Sequence, residues 1–140
     1  MLSIDAVPVL WYSVNMDKES CLIYEGAFHR VEWYFDESGE SQAYDYFLQA
    51  SDTQKRKFLM LVKKMGDTGV IFNKEKFRNE GNGIFTFKPQ PDRYLCFFYT
   101  GKKIIVTNAF TKKTDKLPER EKERALNRMN DYIERVSKNE

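Results

Sequence analysis

Apolar and polar residues alternate in several short stretches of this chain, a pattern typical of β-strands with one buried face. In the earliest clear stretch, "VEWYF" at 31–35, Val31, Trp33 and Phe35 alternate. Three further stretches follow one another closely: "IFTFK" at 84–88, "YLCFFY" at 94–99 and "KIIVTNAF" at 103–110. The turn residues in "PQPDR" and "TGKK" between them predict an antiparallel meander.

Helical spacing separates the first stretch from the other three. Ser41 is predicted to cap a short helix, and Asp52 to cap a longer one that ends at Gly66. The short joint between the two predicts a helical hairpin, followed by a polar connector at 66–83. Pro118 suits the first turn of a last helix. One face of that helix carries Ala125, Met129, Tyr132 and Val136.

This order of elements predicts an α+β domain: one strand, an α-hairpin, a three-strand meander and a C-terminal helix. Residues 29–140 form the predicted domain. Residues 1–28 are predicted to be an N-terminal extension. Its stretch "VPVLWYSV" is compatible with an additional edge strand, because Pro8 is tolerated at a sheet edge.

Composition narrows the class of protein. A chain of 140 residues with 41% hydrophobic residues predicts one globular domain rather than a disordered protein. No apolar run approaches the roughly 18 residues of a membrane span, and residues 1–11 lack the basic start of a signal peptide. Cys21 and Cys96 stand far apart, which predicts reduced thiols, a cytoplasmic location and no metal site.

Charge is distributed unevenly along the chain. Residues 1–70 carry 7 basic and 11 acidic side chains, whereas residues 71–140 carry 16 basic and 10 acidic ones. The segment 88–116 alone has seven basic residues against Asp92 and Asp115, although it is mostly strand-like. This asymmetry favours a basic surface for a polyanion on the C-terminal half. A surface helix rich in both signs would account for part of it.

Few residues are suited to ordinary enzyme chemistry. His29 is the only histidine, and the chain contains no GxSxG, HExxH or glycine-rich phosphate loop. What remains is a basic set at the ends of predicted strands. Lys88, Arg93 and Lys112 or Lys113 would converge on one anion if the sheet brings those ends together. The alternative is a scatter of solvated charges.

The segment "RYLCFFYTGKKIIVTNAFTKKTDKLPEREKERALNRMNDYI" resembles the C-terminal half of RelE/ParE-superfamily toxins. It is most similar to the HigB-like branch, which includes phage-derived host-inhibition proteins. The resemblance covers roughly 30–136 by element order and is strongest from Gly83 onward. It implies a microbial RNase fold with a curved antiparallel sheet. It also implies a cytoplasmic type II toxin that cleaves mRNA in the ribosomal A site by 2′-OH attack, without metal or cofactor.

The resemblance also implies roles for particular residues. Position by position, it assigns catalysis to Arg93, Lys112, Lys113 and Lys88. It assigns RNA contacts to Arg78, Lys102, Lys103 and Lys116. Lys112 and Lys113 are not expected to be equivalent, because neighbouring strand residues point to opposite faces. The implied partner is an antitoxin, often of the helix-turn-helix type in this branch.

The chain departs from the family pattern at one point. Several RelE-like toxins place a Tyr or His a few residues beyond the closing basic residue, where this chain reads "TDKLPE". Asp115, Lys116 or Glu119 could substitute, or Lys113 with a depressed pKa. ParE relatives share the fold but inhibit DNA gyrase without cleaving RNA. A non-enzymatic inhibitor of a host protein and a plain interaction domain therefore stay open as alternatives.

Overall fold

The structure, a computed structural model, describes residues 21–138. Six strands form one sheet, and three helices pack on it. The strands are β1 Leu22–Glu25, β2 Arg30–Trp33, β3 Phe77–Gly81, β4 Ile84–Phe87, β5 Asp92–Tyr99 and β6 Lys103–Thr111. The helices are α1 Gln42–Gln49, α2 Asp52–Thr68 and α3 Glu119–Lys138. The predicted α+β class is confirmed, and the architecture is compatible with a RelE-like fold.

The curved sheet is mixed rather than purely antiparallel. Its strand order is β1-β2-β6-β5-β4-β3, and β2 runs parallel to β6 while every other neighbouring pair is antiparallel. The prediction of an antiparallel sheet was wrong at this pairing. The cause is connectivity, because the hairpin of helices and the strands β3, β4 and β5 all lie between β2 and β6 along the chain.

The sheet buries both of its faces. On one face, α1 and α2 cover a cluster of aromatic residues in which the Tyr94 ring stacks on Phe58, with ring centroids 3.8 Å apart. On the other face, α3 packs its Ala125 against Ile84, Leu95 and other strand residues. Side chains of one strand alternate between these two layers. The side of the sheet on which a strand residue lies therefore follows from its position in the strand.

The two hairpin helices begin and end at small or flexible residues. Ser41 caps α1, as predicted, by accepting a hydrogen bond from the Tyr44 N–H. Ser51, rather than Asp52, caps α2. Helix α2 also continues past the predicted end at Gly66 and stops at Gly69, where φ is +82°. Such a left-handed conformation favours glycine and marks a helix end.

Strand β3 occupies part of the segment that was predicted to be a connector. It has one buried apolar residue, Phe77, followed by the polar sequence Arg78–Glu80. A charged strand of this kind is typical of a sheet edge, where it discourages pairing with other chains. Its turn into β4 is formed by Asn82 and Gly83, both with positive φ. An Asn-Gly pair is the common two-residue hairpin signal.

A side chain from α1 completes the pairing of β6. Strand β2 pairs with β6 only as far as Val106. Beyond it, the Gln42 amide donates to the Ala109 carbonyl (2.8 Å) and accepts from the Ala109 N–H (2.7 Å). The amide therefore satisfies backbone groups that a neighbouring strand would otherwise bond.

The N-terminal end of the described chain lies at the opposite sheet edge from β3. Strand β1 is the edge strand there, whereas "VPVLWYSV" lies outside the described residues. Both cysteines are free thiols, and burial is the main reason that the pKa of Cys21 rises to about 12. Of the helices described, none combines the length and apolar character needed to cross a bilayer.

The two hydrogen bonds between the Gln42 amide and the Ala109 backbone predict that Gln42 contributes measurably to stability. We expect Gln42→Ala to lower the free energy of unfolding by about 1 kcal/mol, because two backbone bonds of Ala109 are lost and water replaces them only in part. Urea denaturation measures the change. Gln49→Ala, an exposed glutamine on the same helix, is the control and should change it by less than about 0.5 kcal/mol. Equal effects of the two substitutions would contradict the assignment.

Candidate anion site

Arg93 is a buried cation at the start of the central strand β5. Arg93 is only 7% exposed, and it lies on the same sheet face as Leu95 and Phe97. The guanidinium donates to the Asp92 carbonyl (3.0 Å) and to Gln90 Oε1 (3.1 Å). Within residues 21–138 it forms no ion pair with a carboxylate. Burying a cation without a direct ion pair is costly, so this arrangement favours binding of an anion from solution.

Two more cations reach the same place from the neighbouring strands. Lys88 follows the end of β4, where its N–H bonds the Lys76 carbonyl and its Nζ donates to the Lys74 carbonyl (3.2 Å). Arg78 pairs with Thr86 across β3 and β4. We call the resulting space the Arg93 cleft. It is lined by Arg78, Glu80, Thr86, Lys88, Arg93, Phe110 and residues 114–117.

Electrostatics within the Arg93 cleft favour an anion. Burial, and then the positive charges of Arg93 and Arg78, lower the pKa of Lys88. Burial also lowers the pKa of Arg93, although Asp115 and Glu80 oppose that effect. Both shifts mean that the protein destabilises the charged form of these side chains. A bound anion would stabilise the charged forms of both Arg93 and Lys88.

Lys112 and Lys113, predicted as a closing pair, lie on different surfaces. Strand β6 ends at Thr111, so both lysines belong to the loop that follows, and the Lys112 N–H bonds the Pro91 carbonyl. Lys112 pairs with Asp115 (2.6 Å) and contributes to the lowered pKa of Lys88. Lys113 instead lines a separate cavity on the other side of Phe110.

The remaining predicted RNA contacts divide in the same way. Arg78 and Lys116 line the Arg93 cleft. Lys102 and Lys103 lie at the opposite end of β6, next to Arg30. Six strand residues at about 3.3 Å each, 104–109, lie between Lys103 and Phe110 of the cleft. The structure therefore does not bring Lys102 and Lys103 to the Arg93 cleft.

The candidate proton-transfer groups of the cleft are carboxylates and a lysine. Neither His nor Tyr is among its lining residues, and His29 instead contacts Phe98 elsewhere. The Glu80 carboxylate accepts from the Thr86 hydroxyl (2.7 Å) and lies 3.8 Å from Arg78 Nε. The sequence interpretation missed Glu80 because its strand was taken for a connector. The signal was present in the alternation of Arg78 and Glu80.

Two of the proposed substitutes for a missing Tyr or His differ in position. Asp115 lines the cleft, and Lys112 lowers the pKa of its carboxyl. Glu119 is the first residue of α3 and does not line the cleft. Asp115 is also highly exposed, with a side chain that is 95% accessible. Of these two groups, Asp115 is therefore the one that could approach a ligand at Arg93.

The Arg93 cleft is narrow, and four of its lining residues belong to the loop beyond β6. The free space inside it is about 10 Å³, close to the room that one water needs. This space is smaller than a phosphate, so a phosphate would enter only if side chains that line the cleft moved. Within the described part of the chain, no three His, Cys, Asp or Glu side chains are grouped as a metal site would need.

Comparison with known proteins assigns the family. The model of the family described as "Phage derived protein Gp49-like (DUF891)" matches residues 45–130. That range contains every residue that lines the Arg93 cleft. No curated protein matches the chain. Since the matched range covers more than half of the 140 residues, the chain belongs to the phage-derived Gp49-like family, a toxin-like family in toxin–antitoxin systems.

Proposed function

We propose that the protein is the toxin of a type II toxin–antitoxin system and cleaves mRNA on the ribosome, as HigB-like toxins do. One observation carries the proposal: Arg93 is buried without a carboxylate partner, and it faces the same cleft as a lysine whose pKa is lowered. Membership of the Gp49-like family supports the toxin class. Target and cleavage are inferences from the chemistry of the cleft.

The proposed reaction needs charge stabilisation more than covalent chemistry. The 2′-OH of one nucleotide attacks the adjacent phosphorus, and the bond to the 5′ oxygen of the next nucleotide breaks. Negative charge grows on the phosphoryl oxygens in the transition state. Arg93 bonds the Asp92 carbonyl and Lys88 bonds the Lys74 carbonyl, so both are held in place and stabilise the charge without having to reorganise.

Two cleft residues suit the proton transfers. The Glu80 carboxylate, held by the Thr86 hydroxyl, is positioned to take the proton of the attacking 2′-OH. The Lys88 ammonium, with its lowered pKa, is positioned to give a proton to the departing 5′ oxygen. A donor and an acceptor in one cleft are the requirement for acid–base catalysis. This assignment takes the place of the Tyr or His that several RelE-like toxins supply.

A non-enzymatic inhibitor of a host protein, such as a gyrase poison, is the second candidate. The absence of His and Tyr among the cleft residues is the observation that favours it. The two candidates differ in what they leave in the cell. Cleavage produces new mRNA 5′ ends within translated codons, whereas gyrase poisoning induces the DNA-damage response while mRNA stays intact.

Removing Arg93 from the cleft, or Lys112 beside it, should abolish toxicity without unfolding the protein. We expect Arg93→Ala, and separately Lys112→Ala, to slow cleavage about 10²–10³-fold, the usual cost of losing one electrostatic contact in the transition state. Sequencing of mRNA 5′ ends after induction measures cleavage, and circular dichroism monitors folding.

Lys64→Ala removes an exposed lysine of α2 outside the cleft and is the matched control. Full toxicity of the Arg93→Ala/Lys112→Ala double variant would show that these cations only make the protein more soluble. Growth arrest by the wild type with intact mRNA would eliminate the endonuclease and favour the non-enzymatic inhibitor.

The lowered pKa of Lys88 predicts a pH dependence. If Lys88 acts as the cationic acid, the rate falls as pH rises through its pKa, because the ammonium is lost. Lys88→Arg retains a positive charge to higher pH. We expect the fall in rate at high pH to move to higher pH in that variant, even where its maximum rate is lower.

Purified ribosomes with a defined mRNA, assayed over a pH series, provide the measurement. Lys112→Arg is the control, since Lys112 is given no part in the proton transfers. Identical pH profiles of the wild type and Lys88→Arg would show that Lys88 does not supply the titrating group.

We also propose a cognate antitoxin, of the helix-turn-helix type, as the partner. The basic C-terminal half should form its binding surface, since an inhibitor can act by covering the cleft. Co-expression with the product of the neighbouring reading frame should yield a stable complex that relieves growth arrest, and Arg93→Ala should still bind. A neighbouring product that neither co-purifies nor restores growth would refute this partner.

A further inference from the structure

A second and much larger cavity lies beside the Arg93 cleft. It occupies about 440 Å³, within the usual range of small-ligand pockets. It lies between α1, the end of β6 and the first turn of α3. Phe110 and Thr114 line both spaces, so they form the wall between them. The reaction described above uses only the smaller space.

The rim of this cavity carries uncompensated positive charge. Lys113 and Arg120 line it, and neither side chain makes a hydrogen bond or ion pair with any residue in the range 21–138. Glu121 is the one carboxylate among the lining residues. Its two oxygens already accept from Asn108 (3.0 Å) and Arg124 (3.2 Å). The two cations therefore remain available to an anion from solution.

The inner wall of the cavity offers rings and committed polar groups. The Tyr46 hydroxyl donates to Asp92 (2.5 Å) and hydrogen-bonds with Thr111 (2.6 Å), which fixes the tyrosine ring. The Gln42 amide is committed to the Ala109 backbone. Phe110 adds a second half-buried ring. A flat, partly apolar group fits such a wall better than a strongly hydrated one does.

We propose that this cavity binds the nucleotide next to the scissile phosphate. This inference rests on the proposed function. Its base would lie against Tyr46 and Phe110, and its phosphate would lie between Lys113 and Arg120. Aromatic rings that bind bases beside cations that bind phosphates are the usual means of holding single-stranded RNA. Because Phe110 and Thr114 border both spaces, one RNA strand can occupy the cleft and the cavity together.

This arrangement gives Lys112 and Lys113 separate tasks. Lys112 acts on the group in the Arg93 cleft, whereas Lys113 holds the neighbouring nucleotide. The shape of the cavity then determines which base is accepted beside the cut. The sequence preference of cleavage therefore depends on residues that do not contact the reacting atoms.

The first test measures binding without cleavage. Nucleoside 5′-monophosphates and inorganic phosphate are titrated into the ¹⁵N-labelled full chain. We expect the nucleotides to shift the amide signals of Thr111 and Thr114 and to bind more tightly than phosphate does. Lys113→Ala/Arg120→Ala should weaken nucleotide binding at least about tenfold, because two charge-assisted contacts are lost.

Lys64→Ala/Lys138→Ala removes the same charge on helix surfaces elsewhere and should leave the affinity unchanged. If this control pair weakened nucleotide binding equally, the effect would come from net charge alone. That result would overturn the assignment of the cavity as a nucleotide site. Equal affinities for nucleotide and inorganic phosphate would overturn the role of the rings.

The second test maps cut sites in cells. Lys113→Ala/Arg120→Ala should still cut mRNA while changing the distribution of bases beside the cut, whereas Arg93→Ala should abolish cutting. An unchanged distribution with unchanged nucleotide affinity overturns the cavity as a nucleotide site and leaves the endonuclease standing. An absence of cuts by the wild type overturns the endonuclease, and the assignment of a flanking nucleotide falls with it.

Discussion

The pairing of β5 with β6 is the constraint on which the rest of the molecule depends. It is the longest strand pair, and its register sets Arg93 opposite Phe110 and Asp92 opposite Thr111. The start of β5 therefore meets the end of β6. The loop that follows β6, with Lys112 and Asp115, therefore lies close to the buried guanidinium of Arg93. Any slip of one residue would turn Arg93 toward the aromatic core under α2.

The same pairing explains how the protein tolerates a buried cation. Behind Arg93, on the opposite face of β5, Tyr94 stacks on Phe58 and is fully buried. The hydrophobic packing of that face holds β5 in place, while its other face carries an unpaired charge. A protein can keep such a costly group only where neighbouring interactions fix the backbone. The pKa values of Arg93 and Lys88 are both lowered, which shows that the local environment opposes their charged forms.

Much of this could be predicted from the pattern of residues. Long alternating stretches gave β4, β5 and β6 nearly to the residue, and helical spacing identified all three helices. Strand β3 was missed because Phe77 is its only buried apolar residue, although Asn82–Gly83 marked the hairpin. The parallel pairing of β2 could not be predicted, since it depends on how distant parts of the chain pack. For the same reason the sequence could not show that Lys113 lies outside the cleft, whereas Glu80 was missed together with its strand β3.

Asp115 influences both cations of the proposed reaction that lie near it, Arg93 and Lys112. Its carboxylate pairs with Lys112 and is the largest source of negative potential acting on Arg93. It therefore serves as the protein's own counter-charge while no ligand is bound. The pair is largely exposed on the Asp115 side, and such surface pairs contribute only about 0–1 kcal/mol. Exchanging this carboxylate for a phosphate consequently costs little, and it frees Lys112. The loop beyond β6 thus holds an exposed carboxylate near Arg93, while Arg93 itself is held by strand β5.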